Sequence, residues 1–285
     1  MLLYKQITSL DDNKIKNLLL RLLKEDIPTK DLTTDAAIPK NKKGKYTIRS
    51  REKMIFCGGP VIKNAFSKKV QTNILVRDGA NIQAGVDIAH IQGNVQEILK
   101  KERLILNIIQ HLSGISSNTS KYASKLKKSP ICILDTRKTT PGLRILEKYA
   151  VKMGGGNNHR LNLSSGVMIK DNHIVEDLKK IVYKIKKINK NIPIQLEIDS
   201  PNQITKENVN NIDAFLLDNM NPTTIKKCIK KINGLKEGKK RLFIEASGGI
   251  TLKNIEKYII SGVDGISIGA LTHQSTSVDI GLDKS

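Results

Sequence analysis

The chain contains no tryptophan, and aromatic residues make up only 4% of it. Platforms for stacking single-stranded bases are therefore scarce. Cysteine is sparse too: Cys57, Cys132 and Cys228 are widely spaced and form no paired motif. That usage excludes a zinc site or a disulfide framework and points to a reducing compartment, with all three thiols inert. No apolar run approaches membrane-spanning length. The opening Met1-Leu2-Leu3-Tyr4-Lys5 lacks a signal-peptide layout, so a cytoplasmic protein is expected. Glycine patterns of the Walker or dinucleotide type are missing.

Positive charge is what the chain has in excess. Lys and Arg number 49 against 27 Asp and Glu, a net charge of +22. Such a balance suits a nucleic-acid binder. Much of it, however, sits in Lys-Ile-Asn runs such as residues 179–190, which read as amphipathic helices with a solvated lysine face. Attraction of polyanionic substrates is the useful consequence. At 285 residues, 39% of them hydrophobic, the chain can build a large core and two domains.

The first part, 1–115, reads as an antiparallel sheet with helices. Residues 11–25 predict a helix, started by Asp11 and Asp12, with Ile15, Leu18, Leu19, Leu22 and Leu23 in one stripe. Residues 31–35 read as a polar turn. Stretches 45–57 and 73–94 alternate as strands do, around a short helix at 62–69. A longer helix runs from Val95 to about Lys128, with a break at Gly114 and with Arg103 close to its buried side.

From Ile131 the rhythm becomes strand–helix alternation. Six short apolar runs, 131–135, 166–171, 194–199, 213–219, 241–247 and 263–269, are separated by amphipathic helices. Thr140-Pro141 and Asn221-Pro222 place a capping residue before a first-turn proline. Six units read as a parallel barrel, short of the usual eight, or as an open doubly wound sheet. Where the polar groups fall favours the barrel: Arg137, Lys138, Lys170, Glu197, Asp218, Ser247 and Gly269 each sit near the end of a run. In a barrel those ends share the face that carries chemistry.

Three constellations stand out. Arg137, Lys138, His159, Arg160 and Lys170 flank glycines, prolines or strand ends and can converge on one compact anion. Taken singly, either lysine is as well explained as a solvated surface charge. Glu197 and Asp218 interrupt apolar runs, which is costly unless they are paired; they suit Mg²⁺, or a sugar that develops positive charge, or a structural pairing with Lys170. Ser247-Gly248-Gly249-Ile250-Thr251 reads as a strand leading into a helix at Leu252, a phosphate cradle supported by Gly269 and Ala270 on the next unit. His90 and His111 have no such context and read as structural, and the acceptor triplet Asn162-Leu163-Ser164 as chance.

These motifs, with Asp31-Leu32-Thr33-Thr34, Glu102-Arg103, Leu112-Ser113-Gly114-Ile115, Leu217-Asp218-Asn219 and Gly269–His273, resemble the quinolinate phosphoribosyltransferase family over nearly the whole chain. The resemblance implies an N-terminal α/β sandwich plus an incomplete six-stranded α/β barrel of the type II phosphoribosyltransferase kind. The implied bounds are a sandwich at 1–115, a barrel at 116–272 and a tail, 273–285, that returns to the sandwich. It implies the Mg²⁺-dependent joining of quinolinate to 5-phosphoribosyl 1-pyrophosphate, giving nicotinate mononucleotide, pyrophosphate and CO2. Arg137, His159 and Arg160 would hold the quinolinate carboxylates, with Arg103 reaching in across a homodimer that stands alone or builds a hexamer. Lys138 and Lys170 would contact either substrate, and Glu197 and Asp218 the ribose and Mg²⁺. Ser247, Gly248, Gly249, Gly269 and Ala270 would cradle the 5-phosphate, with His273 nearby. Gln195, Asn162 and Ser165 depart from the family pattern and bear on Mg²⁺ affinity or loop shape. Three other functions compete: a paralogous pyrophosphorylase acting on another base, a basic nucleic-acid binder and a catalytically silent interaction protein.

Overall fold

The computed structural model describes residues 2–238 and 241–285. In chain order its first elements are α1 (Asp12–Asp26), α2 (Leu32–Ala37), β1 (Lys43–Ser50), β2 (Met54–Ile55), α3 (Gly59–Ala65), β3 (Val70–Ile74), β4 (Asn81–Ile82), β5 (Asp87–Asn94) and α4 (Val95–Lys125). They are followed by β6 (Cys132–Leu134), α5 (Arg144–Met153), β7 (Val167–Ile169), α6 (Leu178–Ile188), β8 (Ile194–Ile198), α7 (Lys206–Asn211) and β9 (Ala214–Asp218). Last come α8 (Pro222–Leu235), β10 (Phe243–Ser247), β11 (Gly265–Ser267), α9 (Ala270–His273) and β12 (Ile280–Lys284). The chain divides into two compact units. One takes Ile7–Ser120, Leu146–Gly155 and Gln274–Ser285; the other takes the residues up to Gln6, Lys121–Ile145 and Gly156–His273. Residues 2–6 thus fall in the unit of Gly156–His273, and 146–155 in the unit of Ile7–Ser120.

The sandwich unit is built on an antiparallel sheet in the order β12-β1-β5-β3. Asp11 caps α1 through the Lys14 amide, and Ile15 and Leu19 form its buried stripe. Residues 31–35 form more than a turn: Asp31 accepts from the Thr34 amide and starts the short helix α2. A cap of this kind contributes about 1 kcal/mol. Nor does Gly114 break α4, which runs through it for 31 residues. Its lack of a side chain serves packing, since a Cβ there would lie 2.1 Å from the Thr276 carbonyl oxygen. His111 faces the buried Glu147 at 2.8 Å.

The other unit is a six-stranded parallel sheet in the order β6-β11-β10-β9-β8-β7. Its strands are buried on both faces and therefore read as short apolar runs rather than alternating ones. Among the described residues the edge strands β6 and β7 do not pair with each other, so the barrel is open. Beside β6, Asn157 makes a parallel bridge to Leu134. The Asn221-Pro222 signal starts α8 as expected, with Asn221 capping the Thr224 amide. Thr140-Pro141 does not cap a helix: Pro141-Gly142-Leu143 is a turn, with Gly142 at φ 84°, and α5 starts at Arg144. Helix α6 begins at Leu178, and Ile174 and Ile188 are exposed.

Candidate active site

Because all six strands run parallel, their C-terminal ends lie along one edge. Arg137 and Lys138 follow β6, and Lys170 follows β7. Glu197 sits in β8, Asp218 ends β9, Ser247 ends β10, and Gly269 and Ala270 follow β11. Register places Asp218 and Ser267 on either side of Ser247, on neighbouring strands. The Lys170 Nζ reaches the Glu197 Oε1 at 2.7 Å, the pairing one apolar-strand carboxylate needs.

Arg137 and Arg160 form the cationic side. Burial and then the like charge of Arg137 lower the Arg160 pKa, while Tyr4 and Glu197 oppose the shift. The Arg160 Nη1 donates to the Gly166 carbonyl at 3.1 Å. The Arg137 Nε is buried and meets no protein acceptor. An unpaired buried donor on a guanidinium is costly, and an incoming carboxylate would satisfy it.

The Lys138 Cδ and the His273 Nε2 both lie 3.0 Å from where a Cβ on Gly269 would stand. Thr272 ties this corner together, donating to the Lys138 carbonyl at 2.6 Å. The expected helix at Leu252 is not formed; a turn and a short 3-10 segment, Ile255–Tyr258, follow instead. The cradle therefore does not rest on a helix dipole. The stretch instead holds two successive left-handed glycines, Gly248 at φ 87° and Gly249 at φ 63°. A Cβ on Gly248 would lie 2.2 Å from the Asn219 Oδ1, and Asn219 itself has a positive φ of 53°.

The His159 ring is buried, and both nitrogens have protein partners. Nδ1 accepts from the Arg160 amide at 2.8 Å, which leaves Nε2 as the ring's donor. That nitrogen lies 3.1 Å from the Gln195 Oε1 and 3.3 Å from the Glu245 Oε2. His159 thus holds the Arg160 backbone. Gln195 is likewise interior, donating to Glu245 at 2.8 Å. It does not sit among the strand-end carboxylates. Burial alone would raise the Glu245 pKa, but His159, Ser267 and Gln195 together hold it below its ordinary value. Asn162 and Ser165 bond to each other in an exposed loop.

Arg103 lies exposed on α4, in the sandwich unit. Asp135, Glu245, Tyr4 and Gln6 are not marked out by periodicity, yet they hold the site's frame; the one signal for Asp135 is a carboxylate closing an apolar run. No group of three or more His, Cys, Asp or Glu residues arranged to hold a metal occurs among the described residues. Glu197 and Asp218 offer carboxylate oxygens, the donor chemistry of a hydrated Mg²⁺.

Fold and strand-end cations together are those of an open α/β barrel of the phosphoribosyltransferase class. Residues 31–113 match the family model for the quinolinate phosphoribosyl transferase N-terminal domain, and residues 115–283 that for its C-terminal domain. A probable nicotinate-nucleotide pyrophosphorylase [carboxylating] of Bacillus subtilis is 38% identical over 277 residues, covering 95% of this chain and 93% of that protein. The corresponding enzyme of Mycobacterium leprae is 32% identical over 260 residues, covering 89% of this chain and 90% of that protein. The solved nicotinate-nucleotide pyrophosphorylase of Francisella tularensis superposes with a TM-score of 0.88 at 32% identity, covering 99% of this chain and 100% of that one. That of Ehrlichia chaffeensis gives 0.85 at 36% identity, covering 94% and 98%. The chain belongs to the quinolinate phosphoribosyltransferase family.

Proposed function

We infer that this protein transfers the phosphoribosyl group of 5-phosphoribosyl 1-pyrophosphate to quinolinate and decarboxylates the product. The products are nicotinate mononucleotide, pyrophosphate and CO2, a step in making NAD. The observation that carries this reading is the pair Arg137 and Arg160, with the buried Arg137 Nε lacking a protein acceptor. A planar diacid supplies the acceptors that such guanidinium groups require.

In this reading Arg137 and Arg160 grip the carboxylates, with His159 acting through Arg160. Lys138 and Lys170 face the two substrates, and the Gly248-Gly249 turn holds the 5-phosphate with Ser247, Gly269, Ala270 and His273. The ring nitrogen forms its bond to the ribose anomeric carbon as the bond to pyrophosphate breaks. Glu197 and Asp218 face the positive charge that develops on the sugar. The alkylated nitrogen then draws in the electrons of the adjacent carbon–carboxylate bond, CO2 departs, and the ring carbon takes up a proton. Glu197 and Asp218 are also the residues to hold Mg²⁺, which would neutralise the leaving pyrophosphate.

Arg103 is solvent-exposed and suited to reach a neighbouring subunit in a homodimer. A cytoplasmic location accords with three free cysteines, Cys132 being pushed up to about 11 by burial. No described helix is long and apolar enough to cross a membrane. Mixing the protein with Mg²⁺, phosphoribosyl pyrophosphate and quinolinate tests the function. Stoichiometric nicotinate mononucleotide and CO2 are expected; absence of both removes the reading.

A further inference from the structure

Residues 2–6 belong to the barrel unit, and nothing in the reaction uses them directly. Leu2 and Leu3 pack against the buried cluster of Leu134, Ala214 and Phe243. Tyr4 goes further. Its ring lies 4.5 Å from the His159 ring, centroid to centroid, and its hydroxyl donates to the Gln195 Oε1 at 3.1 Å. Gly166 leaves the space, since a Cβ there would stand 2.4 Å from the Tyr4 ring. The carbonyl of the same glycine receives the Arg160 guanidinium.

Gln6 grips one residue at both backbone groups. Its Nε2 donates to the Asn158 carbonyl at 3.0 Å, and its Oε1 accepts from the Asn158 amide at 2.8 Å. The His159 amide donates to the Asp135 Oδ1 at 2.8 Å, and the Arg160 amide to the His159 Nδ1 at 2.8 Å. Three consecutive backbone N–H groups, at 158, 159 and 160, therefore each end on a side chain. Two of those three supports are set from residues 2–6, Gln6 directly and His159 through the stacked and bonded Tyr4.

We propose that residues 2–6 form a plug that fixes Arg160 for the substrate, with Tyr4 and Gln6 as positioning residues for the diacid. The proposal rests on the function given above. A plug that merely sealed the barrel would need only Leu2 and Leu3. Tyr4 and Gln6 instead commit polar groups to the segment that carries the anion-binding guanidinium. A displacement of about 1 Å at a positioned group can cost on the order of 100-fold in rate. Losing one supporting hydrogen bond, about 1 kcal/mol, should cost about tenfold or less.

The test uses the full chain and four variants: Gln6→Ala, Gln6→Glu, Tyr4→Phe and Leu3→Ala. Each is read by quinolinate Kd from calorimetry, by KM for both substrates and by melting temperature. Gln6→Ala and Tyr4→Phe should weaken quinolinate binding by roughly 5- to 10-fold and leave the KM for phosphoribosyl pyrophosphate unchanged. Gln6→Glu should lie between wild type and Gln6→Ala, because it keeps the acceptor for Asn158 and loses the donor. Leu3→Ala should lower the melting temperature without changing quinolinate affinity. Unchanged quinolinate affinity in Tyr4→Phe and Gln6→Ala, with only melting affected, would overturn the proposal. If Gln6→Ala does not fold, Tyr4→Phe, which removes a single oxygen, decides the matter. Wild-type protein that binds quinolinate without turnover would sink the proposed reaction and leave the Kd comparison to judge the plug; failure to bind quinolinate at all would sink both.

Discussion

The Lys170 ammonium and the Glu197 carboxylate meet at 2.7 Å, joining the ends of β7 and β8. The pair is partly exposed, so its net contribution to stability is about 0–1 kcal/mol. Its value is positional: Glu197 holds a flexible lysine at the C-terminal edge of the strands. Replacing Glu197 by Gln should therefore lower kcat by about 10- to 100-fold, the range for weakening one or two charge-assisted contacts in a site, with melting nearly unchanged. Steady-state kinetics beside a thermal melt would check this; a large loss of stability with intact kcat contradicts it.

Arg137 offers a different outcome. Its unpaired buried Nε lacks an acceptor in the free protein, so removal should not harm folding. Arg137→Ala should raise the quinolinate KM by about 10- to 100-fold, equivalent to about 1.5–3 kcal/mol for a hydrogen bond to a charged group. Melting temperature should hold or rise. A variant that binds quinolinate normally would remove Arg137 from the proposed role.

Gly248 and Gly249 separate close approach from backbone strain. Both have positive φ, but only Gly248 faces a neighbour, the Asn219 side chain, within the reach of a Cβ. Gly249→Ala should cost about 1–2 kcal/mol for the left-handed conformation alone. Gly248→Ala should cost more and raise the KM for phosphoribosyl pyrophosphate, because Asn219 must move. Equal effects of the two substitutions on that KM would contradict the assigned cradle.

The barrel was legible in the sequence because doubly buried strands such as Ile194–Ile198 and Ala214–Asp218 are apolar runs that polar residues close. The cations fell at the ends of those runs, so their shared edge was legible too. The polar interior was not. Tyr4 and Gln195 are 191 residues apart, and no local pattern announces a bond across that distance. Local signals also misled where tertiary contacts decide. Gly114 looked like a helix break, whereas the approach of Thr276 is what demands a glycine there. Thr140-Pro141 carried a capping signal, but the left-handed Gly142 that follows makes a turn first.

Glu245 gives a pH prediction. Its pKa is lowered in the folded state despite burial, so its contribution to stability is complete above the ordinary glutamate pKa of about 4.3. It declines as pH falls below that value and through the lower folded one. Between about pH 5.5 and about pH 3.5, a span set around that glutamate pKa, the wild-type melting temperature should fall more steeply than that of Glu245→Gln. Parallel melting curves across this range would show that Glu245 contributes no such linkage.

Strand β12 covers the outer edge of β1, pairing Tyr46 with Lys284 and Ser50 with Ile280. During synthesis that edge must wait for more than two hundred residues to be made. Until residues 280–284 leave the ribosome, β1 presents an open row of amides and carbonyls to any passing strand. Nascent or C-terminally shortened chains should therefore be the aggregation-prone forms, even with every barrel residue in place.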